Sequence, residues 1–186
     1  TKQVDLMQFH AWSYTDPAWL DQLFWLKELK EEGLIKHIGL TNFDSAHLRI
    51  ACASGIPIVS NQICHSLIDQ RASGEMTKVC QEYGVKILAF GTLAGGFLSE
   101  KWLGKTEPLL ENEATWSQMK YKRFIDAAGG WAKFQNLLKS VSGIAEKHQV
   151  SIANVATKFI LEQPQVGGVI IGARLGQSAH IEETMK

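Results

Sequence analysis

VKILAFGTLAGGF (residues 85–97) is the stretch on which the fold turns. Val85–Phe90 is apolar apart from Lys86, whereas a strand with one wet face alternates apolar and polar residues. A run of this kind is expected of a strand covered on both faces, as in a parallel sheet, and a glycine-rich turn follows it at once.

The flanking residues repeat the pattern. Upstream, Met76, Val79, Cys80 and Tyr83 share one helical face that ends at Gly84, and Pro57–Cys64 (PIVSNQIC) reads as the preceding strand. Before it, Ile35–Phe43 (IKHIGLTNF) is a strand running into a turn; Asp44 caps the next helix, Leu48, Ala51 and Cys52 form its buried face, and Gly55 closes it. Earlier still, Val4–His10 (VDLMQFH) reads as a short buried strand ending on a histidine. Asp16 and Pro17 then open a helix with Trp19, Leu23, Leu26 and Leu29 on one stripe and Gly33 as its stop. Downstream, Leu98–Gly130 breaks the regularity as a Trp-, Glu- and Lys-rich loop or insertion. Helical order returns with Phe134, Leu137, Leu138, Val141, Ile144, Ala145 and His148. Ser151 caps a second helix that stops at Pro164, Gly167–Ile171 (GGVII) is a fifth strand, and a last helix starts near Ser178.

Five successive β-then-α units require an α/β fold with parallel strands and right-handed crossovers. Two architectures satisfy this. A five-stranded doubly wound sheet would be complete in 186 residues, whereas a (β/α)8 barrel needs about 250 and would leave three units unaccounted for. Periodicity does not choose between them. In both, the carboxyl ends of the strands form the active face.

Composition narrows the partners. The chain is 45% hydrophobic and 20% charged, as in an ordinary globular domain, and its 19 basic and 19 acidic residues cancel. With no net field, neither nucleic acid nor an acidic membrane surface is an expected partner. Cys52, Cys64 and Cys80 are odd in number and have no CxxC spacing, which fits a reducing, cytoplasmic compartment. No apolar run approaches a membrane span of about 18 residues. The chain opens without Met and enters a strand at once, so it reads as beginning in the middle of a longer protein.

The strand ends carry His10, then Thr41 and Asn42, then Asn61 and Gln62, then Gly91–Gly96, then Gly172–Arg174. Amides and hydroxyls can hydrogen-bond a flat carboxamide. Glycine-rich turns expose N–H groups to a pyrophosphate, and an arginine pairs with phosphate. This is the chemistry of a dinucleotide lying across the mouth of the sheet.

In this order, FH after VDLMQ, IGLTNF, SNQICHSL, ILAFGTLAGGFLS and VIIGAR resemble the second half of an aldo-keto reductase. The resemblance implies a parallel (β/α)8 TIM barrel of which residues 1–186 hold the last five units, with NADP(H) as cofactor and an aldehyde or ketone as substrate. It makes His10 the active-site histidine that polarises the carbonyl oxygen beside a tyrosine acid. Thr41, Asn42 and Gln62 hold the nicotinamide carboxamide, with Thr41 standing where serine is usual. Phe90 stacks on the nicotinamide where many members have tyrosine, and Gly91, Thr92 and Leu93 form the pyrophosphate turn. Gly172 and Arg174 meet the 2′-phosphate, and Glu183 meets adenine, although Thr184 and Ala179 depart from the usual asparagine and glutamine. The family's Asp, Tyr and Lys belong to the first half of the barrel, so this chain alone is expected to be a poor reductase, lacking general-acid help of roughly 10²- to 10⁴-fold.

Plainer readings stand beside these. Asn42 and Gln62 can equally satisfy buried backbone groups, His65 lacks further metal ligands at a telling spacing, and Gly104-Lys105-Thr106 only ends like a phosphate loop. Loop tryptophans Trp12, Trp102 and Trp116 suit either a substrate wall or packing. The alternative function is a non-enzymatic half-barrel that binds nucleotide weakly or pairs with a partner chain, a second copy included, to cover its open sheet edges.

Overall fold

The computed structural model describes residues 2–109, 115–173 and 180–185. Five strands, β1 (Val4–Phe9), β2 (Ile35–Thr41), β3 (Ile58–Cys64), β4 (Lys86–Phe90) and β5 (Val166–Ile170), form one sheet in the order β1-β2-β3-β4-β5. β1 pairs with β2 and β2 with β3 in parallel. A doubly wound sheet reverses its order at a switch point, and this one does not. Strictly sequential neighbours are what a (β/α) barrel requires.

The helices between strands are α1 (Ala18–Glu31), α2 (Ser45–Ala53) and α3 (Glu75–Tyr83). The Asp16 carboxylate accepts from the Ala18 N–H at 2.9 Å to open α1, and Asp44 accepts from the His47 N–H at 2.9 Å to open α2. After β4 come α4 (Trp116–Ala127), α5 (Trp131–His148) and α6 (Ile152–Leu161), with α7 (Ile181–Thr184) after β5. Thr115 and Gln118 form a capping box at α4, as Ser151 and Asn154 do at α6.

The chain divides into two compact units. The first lies within Thr1–Cys64, Arg71–Leu88 and Pro164–Gly168, and the second within His65–Gln70, Ala89–Gln163 and Val169–Lys186. Leu23, Ile38, Leu40, Phe43, Leu48, Val79 and Ile87 are buried in the first; Phe97, Leu98, Ile125, Leu138, Ile152 and Ile160 are buried in the second.

Residues 98–109 and 115–130, irregular in sequence, are ordered by contacts within the second unit. The Trp131 indole N–H donates to the Lys105 carbonyl at 2.9 Å, and the Gln135 amide donates to the Trp102 carbonyl at 2.9 Å. Glu100 accepts from the Ile152 N–H at 2.6 Å. Trp102 packs edge-on against Trp131 and beside Phe97.

One expectation needs correction. The strand at Val4–Phe9 is not buried: Val4, Leu6 and Met7 are 45%, 37% and 41% exposed. Among the described residues β1 has β2 as its one neighbour in the sheet, and its apolar side chains are less covered than Ile38, Leu40 and Ile87.

Candidate functional site

In the first unit the site residues gather at the carboxyl ends of β1, β2 and β3. His10 follows β1 directly and is half-buried. Its Nε2 lies 3.4 Å from Nδ2 of Asn42, which adopts a left-handed backbone (φ 57°) just past the end of β2. Asparagine tolerates this backbone better than other non-glycine residues, and its N–H donates to the Gln62 carbonyl at 2.9 Å. Thr41 and Gln62 are register partners across β2 and β3. Among the described residues, the Thr41 hydroxyl and the Gln62 amide make no side-chain hydrogen bond.

The buried backbone groups nearby are served by another residue. Asn61 is fully buried, and its amide donates to the Phe43 carbonyl at 2.9 Å while accepting from the Phe43 N–H at 3.4 Å. The alternation of a strand turns Asn61 toward Phe43 and Gln62, one residue on, to the opposite face.

Tyr14 supports Asn42. Its ring stacks on His47 at 3.6 Å between centroids, and its hydroxyl donates to the Asn42 carbonyl at 3.5 Å. Burial, followed by the nearby Asp44 carboxylate, pushes the Tyr14 phenol up to about 12. A phenol held that firmly protonated steadies a turn rather than titrating near neutrality. Trp12 is 91% exposed, with its ring 4.5 Å from that of His10.

In the second unit, Phe90 ends β4 and Gly91, Thr92 and Leu93 begin the glycine-rich turn. Gly91, Ala94, Gly95 and Gly96 all have positive φ, which winds the backbone tightly. The turn is closed by the Ala94 N–H donating to the Gly91 carbonyl at 2.8 Å and the Gly96 N–H to the Leu93 carbonyl at 2.9 Å. Among the described residues, the Thr92 and Leu93 N–H groups find no acceptor, and the buried Thr92 hydroxyl is unpartnered. Unpaired donors in a glycine-rich turn suit an anionic group such as a diphosphate.

Sequence reasoning missed what lies against this turn. Tyr121 of α4 packs onto it so closely that a Cβ at Gly91 would sit 2.3 Å from the Tyr121 hydroxyl, and one at Gly95 would sit 2.8 Å from its ring. Lys120 places its Nζ 5.0 Å from the Phe90 ring centroid. The one signal in the sequence was Thr115-x-x-Gln118, which marks a helix start inside the irregular stretch.

The last three expected residues fare differently. Gly172 is exposed, and a Cβ there would meet nothing within 4 Å, so no close approach demands glycine. Glu183 is exposed, its carboxylate faces His180 Nδ1 at 3.3 Å, and its carbonyl accepts from the Asn154 amide at 2.9 Å. Arg174 lies outside the described residues. Gly172 borders an apolar groove of about 920 Å³ between α5, α6, the end of β5 and α7, lined among others by Ile144, Val155, Phe159, Ile171 and Ile181. Among the described residues, no group of three His, Cys, Asp or Glu side chains is placed to hold a metal, and no helix is long and apolar enough to cross a membrane.

The model of the Aldo/keto reductase family matches residues 1–186. "Flagellar radial spoke protein 5" of Chlamydomonas reinhardtii is 32% identical over 150 residues, covering 80% of this chain and 28% of that protein. "Probable aldo-keto reductase 1" of Glycine max is 34% identical over 139 residues, 74% of this chain and 38% of that protein. The glycerol dehydrogenase of Gluconobacter oxydans shares the fold over 100% of this chain and 54% of its own, with a TM-score of 0.80 at 19% identity. The chain thus spans about half or less of the length of the proteins it matches.

Proposed function

The chain belongs to the aldo/keto reductase family and folds as part of its (β/α)8 barrel, and on that premise we propose that it is the cofactor-holding portion of an NADP(H)-dependent reductase of aldehydes and ketones. The observation that carries this reading is the grouping at the ends of β1, β2 and β3: an imidazole against the Asn42 amide, with a hydroxyl and an amide, Thr41 and Gln62, unpaired on adjacent strands.

When bound, the dinucleotide supplies the hydride. Asn42, Thr41 and Gln62 would hold its carboxamide, and the His10 ring would direct an N–H at the substrate carbonyl oxygen, where charge develops as hydride adds. Phe90 offers a ring face for stacking, and the Thr92 and Leu93 N–H groups meet the diphosphate. The preference for NADP(H) over NAD(H) rests on the resemblance at Arg174.

The tyrosine acid and its Asp and Lys partners come, in this reading, from further βα units that pair with the free edges of β1 and β5. The exposed Val4, Leu6, Met7 and Ile170 are what such units cover. In the 186-residue chain alone, a second copy takes that place, and the compartment is the cytoplasm. Fluorescence titration with NADPH and NADH tests the cofactor half: saturation in the micromolar range is expected, tighter for NADPH. No binding of either at about 100 μM refutes it.

A further inference from the structure

We propose that Lys120 is the counter-charge for the diphosphate of the bound dinucleotide, delivered to the glycine-rich turn by α4. This rests on reading Phe90–Leu93 as the cofactor turn. The first observation is how α4 is seated. Tyr121, 7% exposed, fills the space a side chain at Gly91 or Gly95 would need, so the helix is registered on the turn by contact with its backbone.

The second observation is the state of the neighbouring lysine. Lys120 is exposed, and its ammonium lies 5.0 Å from the Phe90 ring centroid and 5.2 Å from that of Tyr121. Among the described residues, no carboxylate pairs with it. Lys122, two residues on, is by contrast bound to Glu107 at 2.5 Å and Asp126 at 2.6 Å. One lysine of α4 is thus committed to structure, while the other rests on the ring of Phe90, the residue that leads into the glycine-rich turn.

A parked ammonium keeps most of its hydration and gains only the attraction of the ring. A nicotinamide stacking on that face of Phe90 would displace it, and the flexible four-carbon stem would let the ammonium turn toward a diphosphate held by Thr92 and Leu93. A charge-assisted hydrogen bond there is stronger than the contact it replaces. Lys120 therefore vacates the stacking face and adds a cation to the turn in one movement.

The test is calorimetric titration of the 186-residue chain with NADPH and with ADP-ribose, which carries the diphosphate but no nicotinamide. Wild type, Lys120→Met and Lys120→Arg are compared at roughly 0.05 and 0.5 M salt. Lys120→Met is expected to weaken both ligands about tenfold at low salt and to flatten the salt dependence, with Lys120→Arg retaining most of the affinity. Unchanged affinities overturn the proposal. So does tighter NADPH binding with ADP-ribose unaffected, which would make Lys120 a mere cover for Phe90. If wild type binds neither ligand, the cofactor reading falls and this proposal with it; if wild type binds both and the variants match it, only this proposal falls.

Discussion

Replacing Gly91 by alanine tests whether α4 is seated on the glycine-rich turn. Two costs act together. Gly91 has φ +71°, and an L-residue in the left-handed region costs about 1–2 kcal/mol. The new methyl also falls 2.3 Å from the Tyr121 hydroxyl and 2.9 Å from two ring carbons; because Tyr121 is buried, it has little room to retreat, and overpacking of this kind costs about 1–3 kcal/mol. Stiffening of the unfolded chain returns about 0.5–1 kcal/mol, which leaves a net loss of roughly 1.5–4 kcal/mol. Urea unfolding followed by circular dichroism measures it. In a Tyr121→Ala background only the backbone part remains, so the same substitution should cost about 1–2 kcal/mol or less. Equal costs in the two backgrounds would mean that Tyr121 does not lie over Gly91 and would remove the structural basis for placing Lys120 at the turn.

Other outcomes follow from single contacts. His10→Gln, made in a full-length reductase assembled around this chain, should lower kcat by about 10²-fold or more while leaving NADPH affinity within a few-fold, read by steady-state kinetics and titration. Gly39→Ala should destabilise by about 1–3 kcal/mol; its methyl would meet Ser60 Oγ at 2.6 Å and Leu6 Cδ1 at 3.2 Å in the row of side chains that crosses the sheet. Asp44→Ala should cost about 1 kcal/mol through loss of the α2 cap. Burial of Asp44 works toward a higher value, but the hydrogen bonds from the His47 N–H and ring outweigh it and hold the carboxyl below its usual range. Its contribution is therefore present above the unfolded value near 4 and is lost as pH falls through the lower folded value, visible as acid destabilisation in wild type that the variant lacks. Burial pushes the Cys52 thiol up to about 11 and the Cys80 thiol up to about 12. Neither should react with iodoacetamide at pH 8 in the native protein, and their contribution to stability should be intact below about 9 and decline as pH rises from there through the folded values. Rapid labelling of both without unfolding would contradict their burial.

Much of the fold was legible because it depends on local patterns. The largely apolar run at Val85–Phe90, the caps at Asp44 and Ser151 and the helix stop at Gly84 are each decided by residues within a few positions of one another, and all recur in the structure. Candidate site residues were legible for a related reason. In a parallel sheet the carboxyl ends of all strands share one side, so position along each strand already assigns His10, Thr41, Asn42 and Gln62 to a common rim.

Tertiary structure decided what depends on neighbours distant in sequence. Whether β1 is buried is set by which strands flank it, and a pattern of apolar residues does not encode its own partners. That is why VDLMQFH reads as a core strand yet stands exposed at an edge. The choice between a doubly wound sheet and a barrel likewise lay in the order β1-β2-β3-β4-β5, since both give the same local signals. The division of labour between Asn61 and Gln62 needed the turn at Phe43 to be in place. The meeting of Tyr121 and Lys120 with Phe90 and Gly91 joins segments some 30 residues apart through a stretch with no periodicity, and only close packing against a side-chain-free backbone fixes which residue of α4 lands on the turn.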